Sequence, residues 1–387
     1  MSTGHQMPLR FPPPASGRVD VLVIAGEHSG DEHAARMVRG LCAGRPGVTV
    51  AALGGPRLAA AGAQVLHDLT ASSVVGLVEV LKNFTFFRAL FHETLRWIEA
   101  HRPRVVCLVD YPGLNLRLAA ALRTHGLAVK GGGSIKVLYY ISPQIWAWKA
   151  GRRFTMARDL DALAVIFPFE VKCYSDTSLP VEFVGHPFTA PDYVAPVRYD
   201  PAGPVLLLPG SRQQAVARIF PFLLAGFAAW TEAVAGARAV ALYPSDAILA
   251  VLRAARPPTN VGLEPTGVPV AAAAVLTSSG TMSLHCALAG IPGAIAYRAN
   301  PITYFLGRLV VKVPYLGIAN LLLGEAMYPE YIQGAATPAA LAGELRAAGG
   351  EPGRRERTAD QAARLRTLLA QPAGGTAADW LARHLGV

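Results

Sequence analysis

The chain twice repeats one local unit: a short apolar run, a glycine-bearing loop and a helical pattern. The first copy is Val19–Ala25, then Gly26-Glu27-His28-Ser29-Gly30-Asp31, then a helical stretch from His33 to Leu41. The second is Val205–Leu208 with Pro209, then Gly210-Ser211-Arg212, then a helical stretch from Val216 to Trp230. Apolar runs this short and rich in β-branched residues read as buried parallel strands. A strand, a glycine turn and a helix start leave backbone N–H groups aimed into the turn, a geometry that holds phosphate. Two such units about half a chain apart imply two Rossmann-like domains facing a shared cleft. That arrangement suits a nucleotide-sugar transferase better than a single-domain dehydrogenase.

The rest of the chain carries the same alternation. Further strand candidates are Val48–Leu53, Val105–Val109, Lys136–Ile141, Ala162–Phe167 and Val181–Val184 in the first half. Ala239–Tyr243, Val261–Leu263, Ala273–Thr277 and Gly293–Tyr297 follow in the second. Strands alternating with helices predict an α/β chain with doubly wound parallel sheets. Residues 1–18, with Pro12-Pro13-Pro14, read as a flexible tail without the apolar core of a signal peptide. Residues 19–186 form the first domain, the proline-rich 187–204 the linker, and 205–340 the second domain. The Ala- and Arg-rich helices of 341–387 are expected to pack back on the first domain.

With 387 residues of which 52% are hydrophobic, the chain can fill two cores. Its four cysteines, Cys42, Cys107, Cys173 and Cys286, are scattered, which argues against a zinc site or a disulfide framework and fits a reducing compartment. No metal ligands and no cofactor are expected. A net charge of +10 favours an anionic surface. Without arginine-rich runs or aromatic-basic interleaving, a membrane fits better than nucleic acid. No apolar stretch reads as a membrane span.

Each motif has a plain structural alternative. Glu27, Ser29 and Asp31 lie at a strand's carboxyl end, where α/β ligand sites form; Ser29 or Asp31 also suits a helix cap. Asp110 ends the run Val105–Val109 and precedes Tyr111-Pro112-Gly113-Leu114-Asn115. There it suits a general base for a sugar hydroxyl, or an N-cap. Ser142, Trp146 and Trp148 belong to a rigid aromatic loop fit either to stack on a sugar or acyl group or to pack domains. Ser278-Ser279-Gly280-Thr281 offers hydroxyls and N–H groups to a diphosphate or caps the next helix, and Arg212 can complete the charge match. Phe84, Phe87 and Phe91, after the apolar Val74–Leu81 that holds Val75, Leu77 and Val78, form a core stripe or a lipid-facing surface.

Taken together, these segments resemble the lipid-A-disaccharide synthase family of GT-B-fold glycosyltransferases. The resemblance runs from about Val19 to about Leu341. Besides the loops above it includes Gly54-Gly55-Pro56-Arg57, Phe167-Pro168-Phe169-Glu170, Gly185-His186-Pro187, Lys312-Val313-Pro314-Tyr315, Asn320-Leu321-Leu322 and Pro329-Glu330 with Gln333. It implies a UDP-2,3-diacylglucosamine donor, a 2,3-diacylglucosamine 1-phosphate acceptor and inversion at the anomeric carbon. It implies that Asp110 is the base and that Gly210, Ser211, Arg212, Ser279, Gly280 and Thr281 hold the donor diphosphate. Asn320, Glu330 and Gln333 match polar positions near the donor, and His285 and Ala215 stand where the family commonly has Glu. Glu27, Ser29, Asp31, Asn115, Ser142, Trp146 and Trp148 fall on the acceptor side. Val75, Leu77, Val78, Phe84, Phe87 and Phe91 would meet acyl chains or the membrane. The implied setting is cytoplasmic and peripheral on the inner membrane, with a homodimer left open. Rival readings are another UDP-GlcNAc-using GT-B enzyme and a non-catalytic paralogue that binds glycolipid.

Overall fold

In a computed structural model, residues 9–70, 84–190, 192–234, 236–300, 304 and 313–386 are described. The chain divides into two compact units: unit 1 is Met1–Pro187 with Gln371–Val387, and unit 2 is Phe188–Ala370. Val75, Leu77 and Val78 lie outside the described residues.

Unit 1 carries β1 (Val21–Ala25), α1 (His28–Gly44), β2 (Val50–Gly54), α2 (Pro56–Ala60), β3 (Gln64–Asp68), α3 (Phe84–His101), β4 (Val105–Val109) and α4 (Pro112–Thr124). β5 (Lys136–Tyr140), α5 (Arg152–Asp159), β6 (Ala162–Val165) and β7 (Val181–Phe183) follow. The seven strands run in the order β3-β2-β1-β4-β5-β6-β7, and every described pairing is parallel. The central strands β1 and β4 are buried along their whole length, as continuous Val/Leu/Ile runs require when helices cover both faces.

Unit 2 repeats the plan with β9 (Val205–Leu208), α6 (Gln213–Thr231), β10 (Ala239–Tyr243), α7 (Asp246–Ala254), β11 (Val261–Pro265), β13 (Ala274–Thr277) and α8 (Thr281–Leu288). β14 (Gly293–Tyr297), α9 (Ile318–Leu323), β15 (Glu330–Ile332), α10 (Pro338–Gly350) and α11 (Pro352–Leu369) complete it. Its six-stranded sheet has the order β11-β10-β9-β13-β14-β15. A small separate pair joins β8 (Val197–Tyr199) to β12 (Val270–Ala272). α6 is long and apolar enough to cross a membrane, but Val216, Ile219, Phe220, Leu223 and Phe227 bury one of its faces in the unit 2 core.

Three expectations about segments change. The tail is docked from its ninth residue on: Phe11 is buried and stacks on His67, and the Phe11 N–H donates to Glu93 at 2.7 Å. Prolines lack N–H groups but keep carbonyls, and those of Pro12 and Pro13 accept from Trp97 Nε1 at 2.8 Å and Gln64 Nε2 at 2.9 Å. The linker contains β8, where Val197-Arg198-Tyr199 pairs within unit 2. Of the C-terminal helices, α10 and α11 belong to unit 2, and only α12 (Ala377–Leu385) lies in unit 1. There Trp380 and Leu381 are buried, and Ala378 packs so closely on Gly40 that a Cβ at Gly40 would lie 2.8 Å from it. Arg104, Lys136 and Arg45 donate to the carbonyls of Leu385, His384 and Gly386. Cations at a helix C-terminus also complement its dipole.

Candidate active site

In both sheets the strand order reverses direction at one place, between β1 and β4 in unit 1 and between β9 and β13 in unit 2. At such a switch point the two following helices leave on opposite faces, so a crevice opens at the strands' carboxyl ends. The sequence loops of interest follow these four strands.

In unit 1 the loop after β1 is shorter than expected. α1 begins at His28, with Glu27 at its N-cap, so Ser29, Gly30 and Asp31 stand in its first turn. Gly26 serves close approach: a Cβ there would lie 2.3 Å from the Tyr111 ring. The two switch loops therefore interlock through Tyr111. Glu27 is near enough that its charge, after burial, helps raise the Tyr111 phenol.

Asp31 is neither a cap of its own helix nor a ligand group on display. It is buried, and its carboxylate accepts from the N–H groups of Gly55 at 2.7 Å, Arg57 at 3.0 Å and Leu58 at 3.3 Å. It thus caps α2, whose own N-cap Gly55 has no side chain to do so. A Cβ on Gly55 would meet Asp31 Oδ2 at 2.7 Å, so glycine makes room for the carboxylate. Asp31→Ala leaves these donors unpaired and is expected to cost about 2 kcal/mol, roughly 4–8 °C in the melting temperature of a unit this size, read by calorimetry.

Asn115 and Ser142 are likewise built in. Asn115 is fully buried, with Nδ2 on the carbonyls of Asp110 at 2.8 Å and Val109 at 3.2 Å. Ser142 bonds the Tyr174 hydroxyl at 2.7 Å and donates to Pro143 at 2.9 Å. The two tryptophans diverge. Trp146 is half-buried, its Nε1 donating to Glu170 at 3.2 Å and its ring edge-on to Phe169 at 5.5 Å. Trp148 is exposed, with Lys149 and Arg152 over its ring at 4.6 and 4.8 Å. Phe87 and Phe91 are only partly buried and pack against the unit 1 core, the plain alternative for that stripe; the Phe84 side chain lies outside the described residues.

Glu170 is a residue whose role sequence reading missed. It is 2% exposed. Burial pushes its carboxyl up to about 8, the charge of Asp110 adds to the rise, and hydrogen bonds from Trp146 and the Phe167 N–H oppose it. The readable signal was Pro168 at a helix start with Glu three residues after Phe167, the spacing of a capping box. Between the ordinary carboxyl value of 4.5 and about 8, the folded chain keeps a proton that the unfolded chain releases. This contribution to stability therefore falls as pH rises through that window and is flat above it. Glu170→Gln removes the titration. The melting-temperature difference, wild type minus variant, is expected to shrink steadily from pH 5 to pH 8; a constant difference would contradict it.

In unit 2, β9 and β13 are paired neighbours, and Ser278 N–H donates to Leu208 at 2.8 Å. This brings Gly210-Ser211-Arg212 beside Ser279-Gly280-Thr281. Gly210 has φ +108, a conformation open to glycine, and a Cβ there would lie 3.1 Å from Ser278 Oγ. α6 and α8 both start here without a side-chain cap. Ser211, Arg212, Gly280 and Thr281 are exposed. Two uncapped helix starts and an arginine make a site fit for a diphosphate. His285, one turn into α8, is set in an aromatic stack: its ring lies 3.9 Å from that of Phe188, and Nδ1 bonds the Tyr193 hydroxyl at 2.5 Å.

Asn320, Glu330 and Gln333 mainly frame this half. Glu330 accepts from the N–H groups of Leu316 and Gly317 and from Asn320 Nδ2, each at 2.8 Å. Asn320 also binds both peptide groups of Tyr328. Gln333 accepts from the Ala299 N–H at 2.9 Å and donates to its carbonyl at 3.1 Å, fixing the turn after β14. Among the described residues no three His, Cys, Asp or Glu side chains converge as metal ligands would.

Residues 21–373 match the family model for Lipid-A-disaccharide synthetase. The chain belongs to the lipid-A-disaccharide synthase family. It is similar to the lipid-A-disaccharide synthase of Geobacter sulfurreducens, 36% identical over 346 residues that cover 84% of this chain and 86% of the relative. It is also similar to that of Syntrophus aciditrophicus, 34% identical over 382 residues that cover 94% and 97% of the two chains. Among solved structures it resembles a UDP-GlcNAc 2-epimerase from Neisseria meningitidis bound to UDP-GlcNAc, with a TM-score of 0.61, 11% identity and coverage of 94% and 99%. The glycotransferase of kitacinnamycin follows at a TM-score of 0.55, 16% identity and coverage of 95% and 99%. At these identities the structures speak for the fold alone, which is GT-B. Membership of the lipid-A-disaccharide synthase family makes the chain a glycosyltransferase of lipid A disaccharide synthesis.

Proposed function

We propose that the chain condenses UDP-2,3-diacylglucosamine with 2,3-diacylglucosamine 1-phosphate, releasing UDP and a β-1,6-linked disaccharide 1-phosphate, at the cytoplasmic face of the inner membrane. The observation that carries this reading is the pair of switch-point crevices, one holding a carboxylate and the other two uncapped helix starts with an arginine. Inversion needs one base and in-line attack. Asp110, at the end of β4, deprotonates the acceptor's 6-hydroxyl as it attacks the anomeric carbon. The Gly210–Arg212 and Ser279–Thr281 loops take the charge that develops on departing UDP. His285, held by Phe188 and Tyr193, stands on the donor side. Glu27, Ser29 and Trp146 flank the acceptor side, whereas Asp31, Asn115 and Ser142 support it from behind.

Membrane attachment is supported by the +10 charge and by two exposed aromatic rings under cations, Trp148 with Lys149 and Arg152 and Phe154 with Arg153. An aromatic ring and a basic group side by side suit the headgroup region of an anionic bilayer. Incubating purified protein with both acylated substrates and following UDP release tests the reaction. Folded protein that binds glycolipid but yields no UDP would support the paralogue reading instead. Flotation with anionic and neutral vesicles tests attachment, and equal recovery on both would refute the charge-based account.

A further inference from the structure

We infer that Tyr139 and Asn115 are positioning residues for Asp110: their joint grip on its carbonyl sets where its carboxylate points. The inference rests on the reading of Asp110 as the base. Asp110 and Tyr111 are consecutive non-glycine residues in the left-handed region, with φ of +47 and +48. L-residues avoid this conformation because Cβ crowds the backbone. It persists where the surroundings impose it, and such places cluster at functional sites.

Here the surroundings act on a single residue. The Asp110 N–H donates to the Tyr140 carbonyl at 3.0 Å. The Asp110 carbonyl accepts from the Tyr139 hydroxyl at 2.6 Å and from Asn115 Nδ2 at 2.8 Å. Both donors are fully buried. Burial, with the charge of Asp110 adding, holds the Tyr139 phenol well above its ordinary value, so it stays a donor at any working pH. Asn115 Nδ2 also faces the carbonyls of Val109 and Ile24, at 3.2 and 3.4 Å, which ties the ends of β4 and β1 to this turn. From the other side Tyr111 is seated on Gly26, with no room for a Cβ between them.

The sheet does not need this grip. β4 and β5 are already joined by their own ladder from Val105 to Val109. The two side-chain donors do something additional: they keep the carbonyl turned back, and the carboxylate on the same residue is aimed as a consequence. Loss of either donor lets the peptide rotate toward a commoner conformation and moves the carboxylate. Misplacing a reacting group by about 1 Å can cost roughly 100-fold in rate.

The test is a double-mutant cycle in the full-length protein. Tyr139→Phe removes the hydroxyl and keeps the ring. We expect kcat to fall roughly 10- to 100-fold, with KM for both acylated substrates and UDP affinity within about two-fold of wild type. In an Asp110→Asn background, Tyr139→Phe should cause no further loss, because there is no base left to aim. Asn115→Ser should reproduce the pattern; if it fails to fold, the Tyr139 cycle decides alone. Wild-type kcat in Tyr139→Phe, or an equal fractional loss with and without the Asp110 carboxylate, would overturn the inference. Full turnover in Asp110→Asn alone would instead overturn the reading of Asp110 as the base, and this inference with it.

Discussion

Asp110→Ala is expected to lower kcat by about 10²- to 10⁴-fold, the usual contribution of a positioned general base. UDP affinity should stay within about two-fold, because the loops proposed to hold the diphosphate belong to unit 2 and Asp110 to unit 1. Steady-state UDP release and UDP titration by calorimetry supply the two numbers. A fall in UDP affinity as large as the fall in kcat would mean that the carboxylate supports the fold or the donor. The Ala side chain leaves the Asn115 and Tyr139 bonds to the Asp110 carbonyl in place.

Arg212→Ala should weaken donor and UDP binding by roughly 10- to 100-fold, since a charge-assisted hydrogen bond is worth about 1.5–3 kcal/mol. The guanidinium is exposed and stands at the start of α6. Arg212→Lys should recover only part of the affinity, because a point charge replaces a planar fork. Added salt should weaken UDP binding in wild type more than in Arg212→Ala. Unchanged UDP affinity in Arg212→Ala would move the diphosphate site away from this loop.

The elements legible in the sequence were those set by local chemistry. Val21–Ala25, Val105–Val109 and Val205–Leu208 are unbroken apolar runs, which fit a strand covered on both faces. Of the four sheet edges, β7 and β11 kept a readable apolar start, whereas β3, β15 and the separate β8 were not legible in this way. β3, β8 and β15 are short and only partly buried, so their residues carry little apolar signal. The proline-rich stretches misled in the same manner: Pro12 and Pro13 suggested freedom, yet their carbonyls are docking points for Trp97 and Gln64.

Within the site, the sequence showed which residues stand at the ends of strands. It could not show where polar side chains turn. Asp31, Asn115, Ser142, Asn320, Glu330 and Gln333 are all candidates by type and place, and each spends hydrogen-bonding capacity on backbone within its own unit. That choice depends on hydrogen-bond partners 8 residues away for Asn320, 34 for Gln333 and 24 for Asp31. Glu170 and Tyr139 were passed over for the converse reason. One sits in an aromatic segment and the other in a strand, and neither announces that it faces Asp110.

The sequence alone determined that two strand–glycine–helix units exist and that their loops differ in charge, Asp110 beside one and Arg212 in the other. Periodicity and residue type are properties of a local segment, so they survive without the fold. Only the tertiary structure decided that the paired glycines act differently. Gly26 admits the ring of Tyr111, whereas Gly210 adopts φ +108 beside Ser278. It also decided that the Asp110 turn is held in a left-handed conformation by Tyr139 and Asn115. Close approach and imposed strain arise between residues far apart in the chain, and no local pattern encodes them.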